Sequence, residues 1–489
     1  MPIPMDEKDN CGKLPSFEEL RELAARKNIQ AGADIDLNMP EGWLNQYSLS
    51  PMFFTTRAYF IFTIAAGMVV AWAIALWGYQ IVKGMGVTGL RHPIFWGIYI
   101  ASFVFWVGLS HSGTIVSSLL RLTRAHWRRP ILRGAEAMTV FALMVAALFP
   151  LIHMGRVWRA YYMFPLFSQR ELWPNFKSPL VWDMMAISVY LVSSVTFLYV
   201  GLLPDIALAR DMCPQFDWRK KYLTVLALGW RGSHRQWMAH ERASTLLAVF
   251  ILLIAPSVHT IVSWDFAMSI TPGWHTTIFG PYFVVGAIYS GVAGVIALMI
   301  LFRWIFKLDE IIRLVHIRNL AKLELAMAII WSYFYFVEFI TTWYGHKPAE
   351  WRIWEYQWER FPHLMVIMLG GTAVAIAALS FNRVRNSPLW LFIITMLINV
   401  GMYIERYLIL VPVLTHRDNP YMWTDYLPSI VEKSIVAGSF AFFFLLYAVF
   451  SKLLPVVTVA DIREGKFISG DLRIGNTYVR VHADAEEQS

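Results

Sequence analysis

Residues Leu148–Met184 read LFPLIHMGRVWRAYYMFPLFSQRELWPNFKSPLVWDM: two apolar runs joined by an aromatic and basic loop. His153 closes the first run and Asp183 opens the second. An ionisable residue at the edge of a membrane span is costly unless it is paired or wet, so it marks a candidate site. Two of them at the same edge of neighbouring helices point to a pocket.

The rest of the chain supports reading these runs as membrane spans. Of 489 residues, 57% are apolar, 16% aromatic and 16% charged. Apolar runs near 20 residues recur throughout, which marks an all-α, polytopic membrane protein. Ten spans are expected, at 58–82, 93–120, 134–155, 180–207, 244–264, 279–302, 323–345, 361–381, 388–413 and 428–452. They define a membrane domain over 58–452. It is preceded by a cytoplasmic segment, 1–57, and followed by a cytoplasmic tail, 453–489. Residues 1–57 lack the pattern of a signal peptide. Ser16-Phe17-Glu18-Glu19 has the form of a capping box and predicts a surface helix over 16–27. In the tail, Val456–Val459 and Tyr478–Val481 are expected to pair as short strands.

The loops after spans two, four, six and eight carry 19 Lys and Arg, against 10 in the alternate loops. The positive-inside rule then puts both termini in the cytoplasm and the aromatic loops outside. The net charge of +8 is mostly this topological signal, and no nucleic-acid fold stands out. The two cysteines, Cys11 and Cys213, are too few to hold an iron–sulfur cluster alone. No C-x-x-C-H haem attachment and no metal site are read in the chain.

This topology brings several polar groups to the outer edge. His153 ends span three, Asp183 starts span four, and His259 and Asp265 end span five. Arg406 lies roughly 27 Å along span nine at 1.5 Å per residue. Glu405 offers Arg406 an alternative charge pair. Such a set suits a hydroquinone, whose oxidation releases two electrons and two protons: carboxylates and imidazoles are the usual proton acceptors. Met154, Tyr161, Trp182 and Trp264 are candidate walls for a flat ring, with His259 a further candidate contact. His111, Glu136, Glu324 and Glu338 lie at other depths and are candidates for a proton pathway, with Glu432 and Lys433 near the start of span ten. Each is equally compatible with hydrogen bonding between packed helices. Glu324, beside Lys322, is expected to pair at the inner membrane edge.

His153, the Ser178-Pro179-Leu180-Val181-Trp182-Asp183 start of span four, Asp265-Phe266-Ala267-Met268 and Pro272-Gly273-Trp274-His275 resemble the membrane-subunit family of NrfD and polysulfide reductase. Within it, the quinol-binding (ActC-type) subunits of bacterial alternative complex III are the most similar group. The resemblance covers nearly all ten spans. It implies that the middle eight form two four-helix bundles, with a quinol site at the periplasmic face and no haem or iron–sulfur cluster in the chain. His153, Asp183, Asp265 and Arg406 match the family's quinol-site set; His259 and His111 map less well. Menaquinol is the implied substrate. The implied partners are a periplasmic iron–sulfur protein, multihaem and monohaem cytochromes c, and a paralogous ten-span subunit in the same bacterial inner membrane. The rival readings are a paralogous proton-translocating or anchoring subunit without quinol turnover, a haem b cytochrome ligated by His153 and His259, and a secondary transporter.

Overall fold

The computed structural model describes residues 41–123, 125–164, 178–213, 217–416, 420–462, 469–474 and 477–482. The helix expected over 16–27 lies outside them.

Ten helices are long and apolar enough to cross a membrane. The helices in chain order are α1 (Glu41–Phe53), α2 (Arg57–Lys83), α3 (Ile98–Leu122), α4 (Leu132–Met154), α5 (Pro179–Met212), α6 (Trp218–Leu226) and α7 (His234–Ala267). They continue with α8 (Phe279–Phe306), α9 (Leu314–Gly345), α10 (Pro348–Arg360), α11 (Pro362–Ser380), α12 (Asn382–Arg385), α13 (Pro388–Thr415) and α14 (Ile430–Leu453). The membrane-crossing members are α2–α5, α7–α9, α11, α13 and α14. Their starts follow local chemistry. Proline occupies the first turn of α5, α10, α11 and α13, where its missing N–H costs nothing. Reciprocal capping boxes open α7 (Ser233 with Gln236) and α14 (Ser429 with Glu432). The Ser233 box starts α7 well before the apolar run does, so the helix extends beyond the expected span at 244–264.

Helix contacts close two rings of four. In the first bundle α3 packs on α4, α4 on α5, α5 on α7, and α7 back on α3. In the second, α8 packs on α9, α9 on α11, α11 on α13, and α13 back on α8. The bundles meet along α3, α7, α8 and α13. The expected pair of bundles is thus present. Helices α2 and α14 pair with each other and pack outside the first bundle. The apolar 18-residue stretch of α3 is 94% buried, whereas that of α2 is 11% buried, and α2 presents Phe60, Ile64, Met68 and Trp72 to lipid.

Small residues set the closest helix approaches. A Cβ on Gly113 of α3 would overlap the Ala135 carbonyl oxygen and Thr139 Oγ1 of α4. The same Thr139 hydroxyl donates to Ser110 O at 2.6 Å and accepts from Thr114 N at 3.0 Å, so it cannot give way freely. We expect Gly113→Leu to destabilise the first bundle by about 1–3 kcal/mol, the usual range for overpacking. A lower melting temperature of the purified complex in detergent checks this; an unchanged one contradicts the tight crossing.

The tail departs from expectation. Val456, Val457, Thr458, Val459 and Ile462 are buried on the protein and start a helical turn. Tyr478–Val481 does form a strand, but its partner is Gly470–Arg473, in an antiparallel hairpin of β1 (Ser469–Ile474) and β2 (Thr477–His482). Among the described residues four helices, α1, α6, α10 and α12, are invisible to the span pattern. Helix α1 buries Tyr47, Leu49 and Met52 and accepts Lys452 Nζ on Pro51 O at 2.6 Å. Helix α10 turns the Trp-rich loop into an amphipathic lid on the second bundle, burying Ile353 and Tyr356. Both, at 13 residues, are too short to read as membrane spans.

Candidate functional site

The C-terminal ends of α4 and α7 and the N-terminal end of α5 meet at one end of the first bundle, and three titratable residues share that end. Asp183 in the first turns of α5 is 4% exposed, and its Oδ1 accepts no hydrogen bond from the described residues. Asp265, near the end of α7, is half-buried, and its Oδ1 is equally without a partner among them. The two carboxylates act on each other electrostatically. Each follows a tryptophan, and the Trp182 and Trp264 rings meet edge to face at 6.2 Å. His153, in the last turn of α4, buries Nδ1 without a partner among the described residues. Met154 beside it is half-buried. The structure therefore gathers two carboxylates, an imidazole and an aromatic pair at one helix edge, and leaves polar atoms of all three titratable groups unsatisfied.

Arg406 belongs to a neighbouring group. Its guanidinium forms an ion pair with Glu405 and lies over the Phe283 ring at 5.3 Å. Its charge acts on His259. The His259 ring is fully buried, 4.6 Å from His111 and 5.9 Å from Phe283, and makes no well-formed hydrogen bond to the described residues. His111 is held rigidly, with Nδ1 2.6 Å from Val107 O and Nε2 2.7 Å from Ala255 O. The Phe266 and Phe283 rings, 5.6 Å apart, join this group to the end of α7 that carries Asp265. Position along the span puts Arg406 at the level of Asp265. The structure gives it instead a carboxylate of its own and an aromatic face. Tyr161 is 41% exposed, with its ring 4.3 Å from that of Tyr162, so it is not a buried wall.

The proton-pathway candidates separate. Glu136 belongs to a buried ion network at the opposite, basic end: Ser117 Oγ donates to Oε1 at 2.6 Å and Arg133 Nη1 to Oε2 at 3.1 Å. Arg133 also reaches Asp205 Oδ2 at 3.2 Å. Asp205 Oδ1 in turn accepts the backbone N–H of Val459 and Ala460, each at 3.0 Å. By position Arg133 counts as a loop charge, but it is 1% exposed inside α4. Glu324 is fully buried and accepts no hydrogen bond from the described residues, while Lys322 is exposed, so the expected pairing at the membrane edge fails: residues two apart face different sides of a helix. Glu338 accepts from Thr276 Oγ1 at 3.1 Å. Glu432 is a capping residue, accepting Gly89 N, Ser429 N and the Tyr426 hydroxyl at 2.6–2.8 Å, and Lys433 is exposed. Sequence reasoning missed Asp205. Asp205 was detectable, since a Pro-Asp pair interrupts the apolar run of span four. Among the described residues, no group of three or more His, Cys, Asp or Glu is placed to hold a metal ion.

Fold and site together define a ten-helix membrane protein with a carboxylate pair and a tryptophan pair at one end of its first bundle. The chain belongs to the polysulphide reductase NrfD family, whose model matches residues 86–416 and so covers both bundles. It is 28% identical over 232 residues to a protein of Halobacterium salinarum described as a putative membrane subunit of dimethyl sulfoxide reductase, covering 47% of this chain and 48% of that protein. The chain thus spans about half the length of that relative. It is also 21% identical over 411 residues to an Hdr-like menaquinol oxidoreductase integral membrane subunit of Archaeoglobus fulgidus, covering 80% of this chain and 92% of that one.

Proposed function

We propose that this chain is the quinol-binding membrane subunit of an oxidoreductase complex, and that the pocket at Asp183, Asp265 and His153 accepts the protons of quinol oxidation. The observation that carries this reading is the carboxylate pair with its unsatisfied oxygens beside the Trp182–Trp264 corner. Two adjacent carboxylates in a low-dielectric site do not both keep full charge easily, so they share a proton and pass it on. One accepts a hydrogen bond from a quinol hydroxyl and takes its proton; His153 Nδ1, which lacks a partner among the described residues, is the candidate acceptor for the second. The indoles supply the flat apolar wall that a quinone ring needs. The released electrons pass to a partner subunit. The Archaeoglobus relative, described as a menaquinol oxidoreductase subunit, supports menaquinol as the substrate.

The excess of Lys and Arg in the loops at the end opposite the pocket supports a periplasmic quinol site in a bacterial inner membrane. The partners of this reading are a periplasmic iron–sulfur protein, multihaem and monohaem cytochromes c and a paralogous ten-helix subunit, as in alternative complex III.

Binding tests the reading directly. Titrating the purified complex with a menaquinone analogue should quench tryptophan fluorescence. Trp182→Ala should weaken binding about tenfold, the equivalent of about 1.4 kcal/mol of lost ring contact. Saturable binding that is indifferent to Trp182, Asp183 and Asp265 would favour the anchoring paralogue instead.

A further inference from the structure

The second bundle holds a cavity of about 60 Å³ that the Asp183–Asp265 pocket does not use. Two carboxylates, Glu338 and Glu405, line it, with the Tyr282 and Tyr335 hydroxyl-bearing rings and Gln357 of α10. A water needs roughly 10–15 Å³ of such space and two to four polar partners, so the site accommodates a small water cluster.

Its two carboxylates differ. Glu405 is 1% exposed, accepts Trp331 Nε1 at 3.3 Å and is paired with Arg406. Glu338 has a hydroxyl, Thr276 Oγ1, for a partner, and the outside charge acting on it is another carboxylate, Glu350 of α10. Arg406 therefore balances one of the two negative charges. Leaving the second unbalanced in a largely apolar cavity is costly. A proton in the cavity removes that cost.

We propose that this cavity is a hydrated proton-holding site, in which Glu338 and Glu405 share one proton through water and Arg406 reports its position to the first bundle. With the proton on Glu338, Glu405 stays a carboxylate and neutralises Arg406. With the proton moved across water to Glu405, the guanidinium loses its counter-charge, and its field acts on the buried His259 next to His111. The proton leaves Glu338 to water past Thr276, in the loop between α7 and α8. Deprotonation returns one negative charge to the cavity and one proton to solvent. The site rests on the quinol reading for its purpose, a second acid–base station beside the quinol pocket, but not for its existence.

Infrared difference spectra of the whole complex in lipid, recorded after a pH jump with no quinol added, test it. We expect a protonated-carboxyl C=O band that shifts on mixing with D₂O, as wet groups do. Glu338→Gln should abolish it, Glu405→Gln should alter its frequency, and Glu405→Asp should retain it. Leu408→Trp, which fills the cavity, should slow deuterium exchange of the band by at least tenfold. A band indifferent to both Gln variants, or one that fails to exchange in the wild type, overturns the proposal. Loss of quinol turnover in pocket variants would still stand in that case, so failure here is distinguishable from failure of the quinol reading.

Discussion

Asp183→Asn should lower quinol turnover by at least a hundredfold in a complex that still assembles. The asparagine keeps the size of the side chain and its place in the first turns of α5, so packing against α4 and α7 survives. What it loses is the ability to take a proton. A positioned general base contributes typically 10²–10⁴-fold, which sets the expected loss. Asp183 Oδ1 makes no hydrogen bond to the described residues, so among them the substitution breaks no bond at that oxygen. Stability should accordingly change little. Asp265→Asn should fall in the same range. The double variant should be only slightly worse than either single one, because the two carboxylates act on one proton and their losses do not add. Steady-state oxidation of a menaquinol analogue, alongside size-exclusion chromatography of the variants, gives both readings at once. Turnover above half of wild type in Asp183→Asn, with the complex intact, would remove Asp183 from the chemistry. Strictly additive losses would mean the carboxylates work separately.

How far the sequence carried this picture depended on the length scale of the signal. A 20-residue apolar run is long, and all ten crossings were legible from it. Polar residues at a shared span edge were legible too, because consecutive spans alternate in direction: His153 and Asp265 end helices and Asp183 starts one, at one end of the first bundle. Depth along a helix, however, does not fix direction around it. Arg406 lies about 27 Å along its span and makes the Glu405 pair that the sequence offered, but the Phe283 ring beneath its guanidinium was not legible. The rotation of α13 within the second bundle decided that, and rotation comes from packing between distant segments. The same limit hid Arg133. Counted by position it is a loop charge at a span start. In the structure its two carboxylate partners come from its own helix and from α5, 72 residues on. Short elements were lost for another reason: α1 and α10 each have 13 residues, too few for the span pattern.

Arg133→Met should destabilise the first bundle by about 3–5 kcal/mol, the usual consequence of leaving buried charges without their partner. Arg133 holds Glu136 at 3.1 Å and Asp205 at 3.2 Å, and both carboxylates are buried with it. Removing the guanidinium strands two negative charges beside each other and deprives Gly201 O and Leu198 O of their donor. The damage should spread to the tail, since Asp205 is also the acceptor that pins Val459 and Ala460. Asp461, in the same turn, shares this dependence. Burial alone would raise its carboxyl, but Arg121, the Thr458 hydroxyl, Arg128 and Arg133 together hold it below the ordinary carboxylate range. A depressed value means that Asp461 favours the docked tail above the ordinary range and loses that effect as pH falls through the folded value. Without Arg133 the loss should begin at higher pH, so the tail should become protease-sensitive under milder acid than in the wild type. Neutralising the whole network, as Arg133→Met with Glu136→Gln and Asp205→Asn, should recover most of the stability, because a buried ion cluster and a neutral packed one differ far less than a broken cluster does. Thermal unfolding of the two variants in detergent separates the explanations. If the triple variant is as unstable as Arg133→Met alone, the guanidinium matters through its packing and its carbonyl contacts, and the charge argument fails.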